Sequence, residues 1–306
     1  MPRRPTATLS FGSGKRESHD SSRFYRRFPE PVVSTDDAIA PPAVIDRLFV
    51  GDARAMRTDQ VADNSVALLI TSPPYFTGKE YENDVAEGDV PAAYFEYLAG
   101  IAQVLSVCAR KLEPGGRMAI NVANLGRRPY RSLSADILSI LQDDLGLLIR
   151  GEIIWRKAHG AGGSCAWGSF RSPANPVLRD LTERVIIASK GRFDRALNRR
   201  QRADRNLPHQ PTISATDFME STLDLWDIPA ESAVRIGHPA PFPVELPRRL
   251  IELYTYQGDL VLDPYIGSGT TAVAAAMSDR HYIGFDTEPE YIVLAQRRLE
   301  NVSRDS

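Results

Sequence analysis

The chain has 306 residues, a formal net charge of −2, 42% hydrophobic and 25% charged content. It can therefore bury a sizeable core, as one large α/β domain with an insertion or as two domains. A near-neutral sum excludes a wholly basic coat, although nucleic-acid binding depends on where positive charge lies. Cys108 and Cys165 lie far apart without a CxxC partner, which excludes a disulfide framework and a zinc knuckle and fits a reducing compartment.

The opening Met1-Pro2-Arg3-Arg4-Pro5-Thr6 has no apolar core of the secretory kind, and no segment approaches the ~18 consecutive apolar residues of a membrane span. A soluble, cytoplasmic protein without a membrane partner is expected. Residues 1–45 are polar and basic, with Lys15, Arg16, Arg23, Arg26 and Arg27. They read either as a frayed, solvated arm or as an arm that touches phosphates.

Regular structure is expected to begin with the strand Arg47-Leu48-Phe49-Val50, followed by Gly51-Asp52. Asp52 then caps a loop or sits as a ligand group at the rim where parallel sheets bind their ligands. The continuous apolar run from Val66 to Ile70 predicts a buried parallel strand, which delivers Thr71-Ser72-Pro73-Pro74-Tyr75 to the same rim. Pro91 opens an amphipathic helix through Leu98, Ile101, Val104, Leu105 and Leu112, and Glu113-Pro114-Gly115-Gly116 breaks it before the strand Met118 to Val122.

A second helical pattern spans Leu133 to Leu141, and strands are expected at Glu152 to Trp155 and Arg184 to Ala188. The Gly-, Ser- and Pro-rich stretch Ala158 to Pro176 between them is long enough to be a functional loop. From Gly191 to Gly237, Arg192, Arg195, Arg199, Arg200, Arg202 and Arg205 are opposed locally only by Asp194 and Asp204. This run is either a solvated face or a DNA contact. A helix carrying Leu246 and Leu250 follows, then the strand Leu260 to Asp263, a glycine loop, and a helix from Thr271. The last strand, Tyr282 to Asp286, precedes a helix with a Thr287-x-x-Glu290 capping box. Strands alternating with helices predict an α/β fold, a doubly wound, mostly parallel sheet.

Two motifs carry chemistry. In Asp263-Pro264-Tyr265-Ile266-Gly267-Ser268-Gly269-Thr270-Thr271 the glycines permit tight turns and close backbone approach at a helix start. Asp286, about twenty residues later, stands where an acid accepts hydrogen bonds from ribose hydroxyls. In Ser72-Pro73-Pro74-Tyr75 the prolines stiffen the backbone and remove donors, so carbonyls can accept from an amine while Tyr75 offers a ring for an extruded base.

These motifs resemble those of the amino-methylating DNA methyltransferases. The (Asp/Asn/Ser)-Pro-Pro-(Tyr/Phe/Trp) catalytic motif is matched by Ser72, Pro73, Pro74 and Tyr75, and the donor loop by Asp263 to Thr270. The order, catalytic motif before donor loop, is that of the permuted beta subgroup. The resemblance implies S-adenosylmethionine as cofactor, S-adenosylhomocysteine as product, no metal, and double-stranded DNA with base flipping as substrate. It places Asp52, Thr71, His238, Phe242, Asp263, Pro264, Tyr265, Gly267, Ser268, Gly269, Thr270 and Asp286 at the donor. It implies a catalytic half over 46–190, a target-recognition region over 191–237, alone or together with the Ala158 to Pro176 loop, and a donor-binding half over 238–306.

Ser72 in the first motif position is typical of members acting on cytosine N4, whereas Asp or Asn is commoner for adenine N6. The expectation is a cytosine-N4 enzyme of a restriction-modification system, nucleoid-associated in a prokaryote, whose cognate endonuclease needs no stable contact. Adenine N6 is the alternative, and a non-catalytic DNA-binding specificity or regulatory subunit is the alternative of another class. Neither Cys108, within a helix, nor Cys165, after Ser164, stands where a cytosine-carbon-5 nucleophile is expected.

Overall fold

The computed structural model describes residues 15–16, 19–20, 32–74, 90–124, 130–158, 168–178, 180–231 and 242–305. The chain forms two compact units, Met1–Ser34 and Thr35–Ser306. In the first, β1 (Lys15–Arg16) pairs antiparallel with β2 (His19–Asp20).

The second unit is built on an eight-stranded sheet. Its strands are β3 (Arg47–Val50), β4 (Val66–Thr71), β5 (Leu112–Val122), β6 (Leu148–Arg156), β7 (Thr182–Ser189), β8 (Leu225–Asp227), β9 (Leu260–Asp263) and β10 (His281–Asp286), in the spatial order β3-β10-β9-β4-β5-β7-β6-β8. All neighbours pair parallel except at β7, which runs against both β5 and β6. Its helices are α1 (Val90–Lys111), α2 (Leu133–Ser139), α3 (Arg199–Asp204), α4 (Ala215–Ser221), α5 (Glu245–Tyr254), α6 (Thr270–Met277) and α7 (Pro289–Asp305). The doubly wound α/β sheet expected from the alternation is therefore present.

Strand β4 shows why both faces must be covered, since every one of its residues is buried. Leu69 points into a core shared with Ile101 and Leu105 of α1 and Ile137 of α2. Leu68 and Ile70 point into the opposite core, with Leu246 and Leu250 of α5 and Ala274 of α6. Each such aliphatic side chain contributes about 1.5–3 kcal/mol of burial.

Two local expectations are corrected and one strand is added. Glu113 to Gly116 does not separate helix from strand: α1 passes directly into β5, and the four residues form a bulge, with Leu112 opposite Val66 and Arg117 opposite Leu68. Gly115 is required there, at φ 77°, because a Cβ would lie 1.9 Å from the Asp194 carbonyl oxygen. The helix after Asp286 starts at Pro289, and the Glu288 carbonyl accepts the Tyr291 amide at 3.1 Å, so Glu288 rather than Thr287 stands at the cap position. Strand β8 was not foreseen; its Trp226 is 1% exposed and its three residues add to the end of β6.

From β4 the chain moves to β5, and from β9 it moves the other way to β10. The carboxyl ends of β4 and β9 thus flank a topological switch point, where open α/β sheets form ligand crevices.

Candidate active site

The end of β4 is tied to the end of β9 by one carboxylate. Thr71 Oγ1 donates to Asp263 Oδ1 at 2.6 Å, Thr271 Oγ1 to Oδ2 at 2.6 Å, and the Tyr265 amide to Oδ1 at 3.0 Å. Burial pushes the Asp263 carboxyl up to about 6, while the bonds from Thr271, Thr71 and the Tyr265 amide pull it back toward ionisation. At 1% exposure, Asp263 does not line the cavity; it fixes where Thr71, and hence Ser72, leaves the sheet.

The glycine loop is held by the next strand. Gly267 donates its amide to Asp286 Oδ2 at 2.9 Å, so each Asp286 oxygen carries one backbone amide and keeps lone-pair capacity for a ligand hydroxyl. Gly269 sits at φ 81°, where a Cβ would lie 2.6 Å from the Ala295 Cβ, so α7 packs onto the loop only because no side chain is there. Arg298 of α7 donates to the Ser268 carbonyl at 2.7 Å and to Ser268 Oγ and Thr270 Oγ1 at 3.0 Å each. Ser268 and Thr270 are thereby turned toward α7.

Between the motifs lies a cavity of about 520 Å³, within the usual range for a small-molecule site. Asp52, Ser72, Pro74, Pro264, Tyr265, Gly267 and Asp286 line it, so the fold unites these predicted residues. Thr71, Pro73, Asp263, Ser268, Gly269 and Thr270 stand behind the wall, and Phe242 packs against the core beside α5. Tyr75 and His238 fall outside the described residues. Both readings of Asp52 hold at once: it lines the cavity, and it caps the turn Ala53–Ala55 through the Arg54 amide at 2.8 Å. The Arg54 guanidinium bonded to it holds its carboxyl below the usual range.

The wall also contains residues not foreseen. Tyr97, Ile101 and Val104 form one stripe of α1, and the Tyr97 hydroxyl donates to the Pro74 carbonyl at 2.8 Å. Their spacing of three and four continues the apolar face of α1, a signal that a helical-period reading contains. Glu288 and Tyr291 complete the rim near Asp286. The donor set suits a nucleoside-bearing methyl donor, with Asp286, Glu288 and Asp52 for hydroxyl and amine protons, apolar Ile101, Val104 and Pro264 for a flat base, and Gly267 for close approach. Among the described residues no group of three or more His, Cys, Asp or Glu is placed to hold a metal, and no helix is long and apolar enough to cross a membrane.

Two residues of the basic run, Arg195 and Arg202, are engaged in the protein's own ion pairs rather than presented on a face. Arg202, 1% exposed, pairs with Glu113 at 3.1 Å and Asp259 at 2.9 Å; Arg195 pairs with the same two carboxylates, at 3.0 Å to Asp259. Burial opposes the Arg195 charge, but Asp259 and Glu113 beside it more than compensate and hold its pKa above the ordinary arginine value. Both guanidinium groups stack on Tyr256, at 5.4 and 5.2 Å from the ring centre. Glu113 lies at the start of β5 and Asp259 just before β9, so this cluster closes the amino rim of the sheet, opposite the cavity. Arg192 donates to the Asp36 carbonyl, Arg205 pairs with Asp37, and Arg199 donates to the His209 carbonyl. These contacts, and exposed Arg200 on α3, also belong to that side.

The carboxyl rim instead carries the β6–β7 connection. In it Gly168 bridges Pro176, the Ser169 amide donates to the Asn175 carbonyl at 2.9 Å, and Phe170 is exposed.

Comparison with known proteins identifies the family. Residues 66–297 match a family model described as DNA methylase, N6_N4_Mtase. The chain is 28% identical over 305 residues to the type II methyltransferase M.BglI of Bacillus subtilis, covering 82% of this chain and 84% of that protein. It is 27% identical over 267 residues to the DNA adenine methyltransferase YhdJ of Escherichia coli, covering 84% and 83%. The structure of the DNA modification methylase TTHA0409 from Thermus thermophilus, complexed with S-adenosyl-L-methionine, superimposes with a TM-score of 0.63 at 28% identity, covering 83% of this chain and 95% of that one. The chain belongs to this DNA methylase family and is an S-adenosylmethionine-dependent DNA methyltransferase.

Proposed function

We propose that the protein methylates the exocyclic N4 amine of cytosine at a specific site in duplex DNA, as the modification enzyme of a restriction-modification system. The observation that carries the choice of base is Ser72 on the cavity wall, in the motif position that an acid or amide more often fills in adenine-N6 enzymes. The second reading, adenine N6, is favoured by the similarity to an adenine methyltransferase.

S-adenosylmethionine supplies an electrophilic methyl on a positively charged sulfur. A ring-conjugated amine is a poor nucleophile, so this chain's part is orientation. The Ser72 hydroxyl and the Pro73 carbonyl accept hydrogen bonds from the amine and aim its lone pair at the methyl. Thr71, locked by Asp263, fixes the departure of this segment from the sheet, and Tyr97 engages the neighbouring Pro74 carbonyl. Tyr75 stacks on the extruded base. The amine nitrogen bonds to the methyl carbon as the carbon–sulfur bond breaks; the spare proton passes to water, and S-adenosylhomocysteine remains. Ser72 is too weak a base to take that proton itself. Asp286 and Glu288 hold the ribose, with Asp52 near the adenine.

Nucleoside mass spectrometry of duplex DNA treated with the enzyme and donor tests the choice. N4-methylcytosine is expected. N6-methyladenine would move the assignment to the second reading, and donor binding without transfer to any DNA would indicate a non-catalytic subunit.

A further inference from the structure

The carboxyl rim holds a second polar constellation on the far side of Ser72 from the donor loop. Thr71 pairs with Ile120 across β4 and β5, so the next residues, Ser72 and Asn121, are neighbours at the strand ends. Asn121 Nδ2 donates to Glu183 Oε2 at 2.6 Å, and Lys157 Nζ donates to Glu183 Oε1 at 2.8 Å. Asn121 is 3% and Glu183 9% exposed. The backbone of Lys157 is pinned on both sides, its amide to the Leu181 carbonyl at 2.9 Å and its carbonyl to the Ala230 amide at 3.4 Å. Four segments thus converge to hold one ammonium group at the rim, six ångströms from the Trp155 ring centre.

We propose that Lys157 grips the target base, donating to the ring nitrogen beside the reacting amine, and that Glu183 and Asn121 are positioning residues that aim it. Among the described residues one of the three Nζ–H donors is spent, on Glu183. From the strand spacing and the two hydrogen bonds, the ammonium lies roughly 8–10 Å from the Ser72 hydroxyl. The hydrogen-bond partners of an amine and of its adjacent ring nitrogen stand about 6 Å apart, so the flexible Lys157 stem carries its ammonium a few ångströms toward the entering base while Glu183 limits its direction. A lysine already balanced by a shielded carboxylate is a weak clamp for phosphate and a well-directed donor for a neutral acceptor. A cation at the ring draws density from the amine, so the gain is in orientation rather than nucleophilicity.

The inference rests on the amine-methylation reading, which transfer by the unaltered enzyme to ordinary DNA tests by itself. The decisive experiment measures single-turnover transfer to two duplexes. One carries the natural target base; the other carries its analogue with carbon in place of the ring nitrogen, 3-deazacytosine for a cytosine target or 1-deazaadenine for an adenine target. The Lys157→Met/Glu183→Gln double variant removes both charges, so no carboxylate is left uncompensated. On natural DNA it should be on the order of ten- to a hundredfold slower, with donor affinity unchanged. On the analogue, the unaltered enzyme should fall to a similar rate and the double variant should lose less than about threefold more. Glu183→Gln alone, which preserves the side chain's shape, should lower the transfer rate without weakening DNA binding. Equal losses on both duplexes, an undiminished rate, or a loss confined to salt-dependent DNA affinity would overturn the proposal.

Discussion

The two rims of one sheet solve opposite problems with the same kinds of residue. At the carboxyl rim, Asp286 is held by backbone amides and keeps oxygen capacity facing a cavity. At the amino rim, Glu113 and Asp259 are saturated by Arg195 and Arg202, with Tyr256 stacked against both arginines. Charge left with open capacity beside a cavity serves a ligand. Charge that is buried against opposite charge binds segments of the chain to each other, here the stretch carrying α3 to the starts of β5 and β9.

The largest effect should come from breaking the amino-rim cluster. Arg202→Met leaves Glu113 and Asp259 short of a partner in a buried site, which should destabilise the fold by about 3–5 kcal/mol in denaturant titrations. Donor affinity per folded molecule should be unchanged. Intact stability with weakened DNA binding would instead make Arg202 a DNA contact and erase the contrast between the rims.

Asp263 crosses that contrast, because it is a buried structural carboxylate at the functional rim. Its folded value of about 6 lies above the ordinary 3.8. For a carboxyl raised in this way, the stabilising contribution is fully present below 3.8 and is lost as pH rises through 6. A rise of that size corresponds to about 3 kcal/mol. Asp263→Asn carries no charge to desolvate, and its amide can still bond both threonine hydroxyls. Between about pH 4 and about pH 8 its stability should therefore gain about 2–3 kcal/mol relative to the unaltered protein, measured by denaturation at both pH values. Parallel pH profiles would show that Asp263 ionises without cost.

Asp286 offers the matching test of open charge. Asp286→Ala removes both the ligand-facing oxygens and the anchor of the Gly267 amide, so donor affinity should fall about ten- to a hundredfold by calorimetry. DNA affinity should stay near its starting value; equal losses in both would point to a collapsed loop rather than a ligand contact.

Much of the carboxyl rim was legible in the sequence because its signals are local. An apolar run ends in Thr71-Ser72-Pro73-Pro74, another ends in Asp263 and a glycine turn, and each places its motif without reference to distant residues. The amino rim was not legible, because its pairings are distant. Arg202 meets Glu113 across 89 positions and Asp259 across 57, so a count of nearby acids found the arginines unopposed. Strand β8 escaped for a similar reason: Leu225-Trp226-Asp227 is too short for a period, and its pairing with β6 is a tertiary fact. Asp263 illustrates a subtler limit. Its motif marks a donor site, yet only the threonine hydroxyls arriving from β4 and α6 show that its carboxylate faces inward.

The smallest expected effect bears most directly on the comparison. Arg199 and Arg200 are exposed and carry the kind of charge that releases counterions from a DNA backbone. For every phosphate that an arginine ceases to neutralise, the slope of log affinity against log salt should shrink by about 0.9. But Arg199 is bonded to the His209 carbonyl and to Gln210 Oε1, and α3 sits at the rim away from Ser72. A duplex delivering a base to Ser72 must approach the opposite rim, about the length of a strand away, which exceeds the ~8–10 Å over which salt leaves exposed charges coupled. The double replacement Arg199→Ala/Arg200→Ala should therefore leave both the DNA affinity and its salt slope unchanged, read by fluorescence anisotropy from low to moderate salt. A slope smaller by about one to two would show that the DNA wraps from one rim to the other, making the amino rim a binding surface as well as a structural one.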